Sequence, residues 1–168
     1  MELKIGVFKM FGLFGKSLEI VAPISGKTID IKKVPDAVFA EKMAGDGLAI
    51  EPTGDVVVAP ADGELTMLFG TKHAFGMTLS NGVQILVHIG LDTVGLNGEG
   101  FKALKSQGDM VKKGEPLIEI DREFIKSKGL SLITPVIFTE LDLLKSFEAK
   151  VGIDVIAGVT PILIYKTK

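Results

Sequence analysis

The chain has no cysteine, no tryptophan, one tyrosine and only two histidines in 168 residues. Without cysteine there is no disulfide framework, no thiolate nucleophile and no Cys-ligated metal, a composition that suits a reducing cytoplasm. No apolar run approaches the roughly 20 residues that a membrane-spanning helix needs. Neither sign of charge dominates: 19 Lys and Arg against 21 Asp and Glu leave a formal charge of −2, which gives no electrostatic reason to expect a nucleic-acid partner. Phosphate-cradling loops are missing as well. There is no G-x-x-x-x-G-K-[ST], and "GLNGEG" has its glycines in the wrong order for a dinucleotide turn. Any phosphate handled here should arrive on another protein rather than from ATP.

What remains is apolar and β-rich. Apolar residues make up 46% of the chain and the mean hydropathy is +0.39, enough to build a sizeable core without staples. Short β-branched runs broken by Gly, Pro and Asp ("LEIVAPISGKTIDI", "GDGLAIEPTGDVVVAPADGELTMLFG", "AFGMTLSNGVQILVHIGL", "EPLIEID") predict an all-β, antiparallel, sandwich- or barrel-like single domain over 18–168 with a few short helices. Asp121 caps one such helix, "REFIKSK", ended by Gly129, and Thr139 caps a second, "ELDLLKSFE". "IVAPISGKTIDI" from Ile20 and "VVAPADGELTML" from Val57 share V-A-P-x-x-G, which fits either two similar hairpins or a duplication. Residues 1–17 read as a flexible or amphipathic arm without a secretory cleavage site. In it Ile5, Phe8 and Phe11 recur at helical spacing among Lys4, Lys9 and Lys16, a pattern suited to peripheral membrane contact through residues 1–16, although its glycines weaken a helix.

Both histidines fall in "TKHAFGMTLSNGVQILVHIGLD", on either side of Asn81-Gly82. A two-residue type I′ turn there pairs Ser80 with Val83 and sets Phe75 opposite His88, His73 opposite Gly90 and Thr71 opposite Asp92. Alternation then gives one core face of Val83, Ile85, Val87 and Ile89. The other face carries Thr71, His73, Phe75, Met77, Gln84, Leu86, His88 and Asp92. His73 and His88 become diagonal neighbours about 7–8 Å apart, close enough for their rings to meet. Two buried imidazoles without partners would be costly, whereas an apolar patch rimmed by polar groups marks a docking surface. A neutral imidazole is a nucleophile near neutral pH, which makes histidine the leading covalent carrier in this chain.

The run "GDGLAIEPTGDVVVAPADGELTMLFGTKHAF…GVQILVHIGLDTVGLNGEGFKALKSQGDMVKKGEPL", with its T-x-H-A-F and V-H-I-G-L-D-T-V elements, closely resembles the glucose-type IIA component of the bacterial phosphoenolpyruvate-dependent sugar phosphotransferase system. The likeness runs from about Leu18 to Tyr165. It implies a cytoplasmic phosphocarrier with a compact β-sandwich and a phosphohistidine intermediate. His88 would take a phosphoryl group from the phosphocarrier HPr and pass it to the IIB domain of a sugar permease. His73 would support that exchange by hydrogen bonding, with the Thr71 hydroxyl in the same network. The resemblance also implies acidic residues at the mouth, Asp36 and Asp92, and an apolar docking ring of Val38, Phe39, Met43, Phe69, Phe75 and Leu86. Regulatory binding to metabolic enzymes or transporters would use the same patch.

Two rivals share these residues. A zinc-dependent hydrolase would use His73, His88 and Asp92, but it needs three ligands, an open position and a base. Neither cofactor nor metal is required by the carrier reading, although a partner's carboxylate could complete an incidental zinc pair on the histidines. A biotinyl- or lipoyl-type carrier is the other. "GDMVKKGEPLIEI" resembles a stretch of those domains, and Lys42 in "AEKMAG" is the nearest approach to their modified lysine.

Overall fold

A computed structural model describes residues 17–168; the amphipathic arm expected at residues 1–16 lies outside the described residues. The strands are β1 (Leu18–Val21), β2 (Gly26–Asp30), β3 (Asp46–Pro52), β4 (Val56–Val58), β5 (Gly63–Leu68), β6 (Ala74–Leu79), β7 (Gln84–His88), β8 (Phe101–Ala103), β9 (Met110–Val111), β10 (Pro116–Ile120), β11 (Thr134–Phe138), β12 (Leu144–Ala149), β13 (Asp154–Val155) and β14 (Pro161–Thr167). Two short helices, α1 (Ala37–Ala40) and α2 (Arg122–Ser127), join them. An eight-stranded sheet in the order β13-β2-β3-β11-β7-β6-β5-β9 is accompanied by two three-stranded sheets, β1-β14-β12 and β4-β10-β8. All pairings are antiparallel. The expected all-β class and α2, capped by the Asp121 carboxylate on the Phe124 amide, are present.

The large sheet has two matching halves, β13-β2-β3-β11 and β9-β5-β6-β7, and this correspondence explains the V-A-P-x-x-G repeat. Gly26 pairs with Pro52 and Val155, while Gly63 pairs with Leu79 and Val111. The two halves also exchange bonds: the Val21 amide donates to the Pro60 carbonyl (2.9 Å) and the Val58 amide to the Pro23 carbonyl (2.7 Å). A second pair of related segments completes each half, "GDMVKKGEP" and "GIDVIAGVTP", whose Gly114 and Gly158 amides donate to the Ala59 and Ala22 carbonyls. The strands nearest the axis, β11 and β7, pair with Val136 opposite Val87. Both strand-starting glycines are required by close packing. A Cβ would lie 2.1 Å from the Glu51 carbonyl oxygen at Gly26 and 2.7 Å from that of Thr78 at Gly63. The repeat is therefore architectural: matched halves cross at their A-P corners.

The halves differ where the site lies. Between β5 and β6 the chain turns through Phe69–His73 alone, whereas the matching link between β2 and β3 runs from Ile31 to Gly45 and includes α1. That longer link lies over the second face of the large sheet, where Ile31, Val34 and Phe39 pack with Ala49, Leu91 and Ile137 in a core separate from the main one. It covers this face from β2 and β3 across to Leu86 of β7, and its Phe39 reaches the edge of His88.

Two expectations fail here. The hairpin loop holds three residues, Ser80, Asn81 and Gly82, closed by the Gly82 amide on the Leu79 carbonyl and the Leu79 amide on the Val83 carbonyl (both 2.9 Å). Gly82 takes the left-handed conformation (φ 86°) that ends such loops, and the Asn81 carboxamide oxygen accepts from the Val83 amide. The extra residue moves the register by one: Ala74, not Phe75, faces His88, and Phe75 faces Val87. Phe75 and Met77 therefore point into the main core, each 1% exposed, and Phe75 is not part of a docking ring. The helix expected after Thr139 is instead strand β12. Its bulge between Leu144 and Ser146 sets Leu144 and Phe147 three apart as partners of β14, a spacing that imitates one face of a helix.

Candidate functional site

His88 ends β7 on the second face, beside half-buried Leu86, and small Ala74 opposite leaves room above it. His73 reaches the same spot by another route. Strict alternation would send it into the main core with Phe75. Lys72, however, is left-handed (φ 61°) and its amide donates to the Phe69 carbonyl at 2.8 Å, closing a tight turn that frees His73 from the strand's alternation. The His73 carbonyl is then held by the Ile89 amide at 2.6 Å. The two rings meet with centroids 4.9 Å apart, nearly perpendicular at 83°. Phe39 of α1 packs on His88 (5.0 Å) and Phe69 on His73 (5.3 Å).

Each imidazole has its Nδ1 committed. His88 Nδ1 lies 2.7 Å from the Gly90 carbonyl oxygen. A carbonyl can only accept, so Nδ1 carries the proton and Nε2 keeps a free lone pair. His73 Nδ1 lies 2.6 Å from the Thr71 hydroxyl, which can play either part. Around the pair, Val38, Met43 and Phe69 are exposed at 45%, 72% and 39%, while Phe39 is buried as the floor. Asp36 caps α1 through the Val38 amide, and Asp92 sits in a left-handed turn (φ 59°). Asp36 and Asp92 are near enough for their charge to act on His88, and Phe39 and Phe69 touch the rings, whereas Phe75 and Met77 lie in the main core. Gly90, whose carbonyl orients His88, was missed; its signal is a glycine two residues beyond the histidine, at φ 76°.

Burial lowers the pKa of His88, opposed in turn by the bond to Gly90 and the negative charges of Asp36 and Asp92. His73 is pushed from 6.5 down to about 4, by burial first and by His88 second. Both rings are neutral near pH 7. The unfolded chain therefore takes up the His73 proton first as the pH falls. The contribution of neutral His73 to stability is whole above pH 6.5 and is lost toward pH 4, by up to roughly 3 kcal/mol. Urea unfolding across that window should show wild type losing more stability than His73→Gln; equal losses would contradict the assignment.

Among the described residues, no group of three or more His, Cys, Asp or Glu is placed to hold a metal ion, so the hydrolase reading lacks its third ligand. Lys42, the nearest thing to a carrier lysine, follows α1 and pairs with Asp46 at 3.3 Å rather than standing at a hairpin tip. No helix among the described residues is long and apolar enough to cross a membrane.

Comparison with known proteins identifies the family. Residues 18–143 match the family model for the phosphoenolpyruvate-dependent sugar phosphotransferase system, EIIA 1. The chain is 48% identical over 157 residues to a PTS system glucose-specific EIIA component of Bacillus anthracis, covering 92% of this chain and 95% of that one. It is 43% identical over 166 residues to the component of the same name from Haemophilus influenzae, covering 96% and 99%. The structure of glucose permease IIA from Mycoplasma capricolum superposes with a TM-score of 0.84 at 40% identity, over 90% of this chain and 97% of that one. The chain belongs to the EIIA 1 family of the phosphoenolpyruvate-dependent sugar phosphotransferase system, and it is a phosphocarrier of that system.

Proposed function

We propose that His88 Nε2 is the atom that takes the phosphoryl group from HPr and yields it to the IIB domain of a sugar permease, making the chain a protein-histidine phosphotransferase with a phosphohistidine intermediate. One observation carries this: the Gly90 carbonyl holds the His88 proton on Nδ1 and leaves Nε2 unprotonated in a half-buried ring. In acceptance, the Nε2 lone pair attacks phosphorus in line as the donor's N–P bond breaks, and the leaving imidazole keeps that bonding pair. In donation the roles reverse: an acceptor thiolate attacks phosphorus and His88 leaves with its electron pair. No proton need leave Nδ1 in either step.

His73 complements this arrangement. If the Thr71 hydroxyl donates to His73 Nδ1, the His73 proton sits on Nε2, available to a phosphoryl oxygen on the neighbouring ring. Asp36 and Asp92 bear on His88 with negative charge. They disfavour a resident phosphoryl group and attract a partner with cationic side chains. Together these effects keep the group transferable until a partner arrives. Exposed Val38, Met43 and Phe69 give that partner an apolar landing, and packing of this kind asks less of matched geometry than hydrogen bonds do. Successive partners with different folds can therefore share it, in complexes small enough to release.

For His73→Gln, acceptance from HPr should persist while donation to the IIB domain slows by roughly 10²-fold. The two half-reactions, followed separately with radiolabelled phosphate, test this. Equal loss in both would show that His73 serves the nucleophile rather than the leaving step. The proposal as a whole is tested by mapping the acid-labile, base-stable phosphate formed with phosphoenolpyruvate, enzyme I and HPr. It must lie on His88.

A further inference from the structure

We propose that Thr93 is a positioning residue for His88, its buried hydroxyl fixing the peptide that aims the Gly90 carbonyl at Nδ1. The inference rests on the reading of His88 Nε2 as the reacting atom.

Immediately after His88 the chain makes a sharp turn in which the amides of Ile89 and Leu91 and the carbonyls of Ile89 and Gly90 are all tied. The Ile89 amide donates to the His73 carbonyl (2.6 Å), and the Leu91 amide donates to the Ser131 carbonyl (3.0 Å). Between them the Thr93 hydroxyl donates to the Ile89 carbonyl at 2.5 Å. Thr93 is fully buried at 0% exposure, and both halves of its side chain are used. A Cβ at Gly90, where φ is 76°, would lie 2.6 Å from the Thr93 methyl carbon and 2.7 Å from the Ser131 carbonyl oxygen. The methyl thus holds Gly90 from one side while the hydroxyl holds the preceding peptide from the other.

The hydroxyl is not spent on the helical turn that begins at Thr93. It reaches backward, to the one carbonyl between His88 and Gly90. Packing alone would be served as well by valine, which has the same shape; the hydroxyl is what needs explaining. With its bond in place, the Ile89–Gly90 peptide is fixed on one side of Gly90 while the Leu91 amide on Ser131 fixes the next, and together they set the Gly90 torsions that keep its carbonyl on His88 Nδ1. Without it, the buried Ile89 oxygen has lost its partner and is relieved only if the peptide turns. His88 Nδ1–H then loses its acceptor, and the proton can move to Nε2, the atom that must remain bare.

The test is ¹⁵N NMR of imidazole-labelled protein, which reads the tautomer of each histidine, together with the rate of phosphoryl acceptance from HPr. Wild type should show His88 as the Nδ1–H form alone. Thr93→Val should populate the Nε2–H form at His88 and slow acceptance by about 10- to 100-fold, the scale of a displaced reacting group. Thr93→Ser keeps the hydroxyl and should restore both readouts even where it lowers stability. A folded Thr93→Val with the wild-type tautomer and rate overturns the role of Thr93 and leaves the reading of His88 standing. Wild-type His88 in the Nε2–H form overturns both. Should Thr93→Val fail to fold, Thr93→Ala, which also removes the hydroxyl, carries the same comparison with His88 tautomer and acceptance rate read together; an unchanged tautomer and rate there, with no water density or exchange at the Ile89 carbonyl, is equally fatal.

Discussion

His88→Gln is expected to accept no phosphoryl group from HPr, a loss of at least about 10⁴-fold, as when a covalent nucleophile is removed. The amide of glutamine has no lone pair free to attack phosphorus. The substitution costs little in stability, because the ring is only half-buried and its hydrogen bond to Gly90 can be made by the Gln amide as well. Circular dichroism and urea unfolding should therefore match wild type while labelling disappears. The other imidazole cannot stand in. His73 is 4% exposed, its Nδ1 is engaged by Thr71, and Phe69 lies against its ring. Burial makes it a poor base, with its pKa near 4, whereas His88 has Asp36 and Asp92 pulling its basicity back up. Label that survives in His88→Gln and maps to His73 would reverse the assignment.

The class of fold and the meeting of the two histidines were both legible in the sequence, but for partly different reasons than the structure supplies. β-branched runs between Gly and Pro show where strands are; they do not show how one strand registers on another. That depended on Gly82 taking a third loop position, a choice that Asn81-Gly82 permits without announcing it. The one-residue slip sent Phe75 to the core. It would have separated the histidines too, had Lys72 not turned His73 out of the strand's alternation. Two local irregularities, each invisible to a period-two pattern, offset one another. The wall of the site was hidden for a different reason. α1 is a single turn held by the Asp36 cap, too short for periodicity to register. The resemblance to a family placed Phe39 and Asp36 where pattern could not. The Gly90 carbonyl escaped because a backbone acceptor leaves no mark in residue identity beyond a glycine, and glycines are common in this chain.

Two phenylalanines expected to behave alike should therefore part company. Phe75→Ala should destabilise the chain by about 3–5 kcal/mol, the usual range for emptying a large buried aromatic site. Its ring is 1% exposed among the fully buried side chains of the main core, facing Val87 across the hairpin. Strands on either side are fixed by their own ladders, so the space has little freedom to collapse. A loss of that size is a large part of the stability a single domain of this length holds in reserve. Phosphoryl acceptance by whatever fraction stays folded should be nearly normal, because the side chain lies on the opposite side of the sheet from His88. Phe69→Ala should do the reverse. Its ring is 39% exposed and touches His73 edge-on, so the unfolding midpoint should move little while the KM for HPr rises. Urea titrations of both variants, paired with acceptance kinetics at several HPr concentrations, separate the two outcomes. If Phe75→Ala left stability intact and raised the KM for HPr, the ring would have to face the partner after all. The three-residue loop at Ser80–Gly82, and the register that follows from it, would then be wrong.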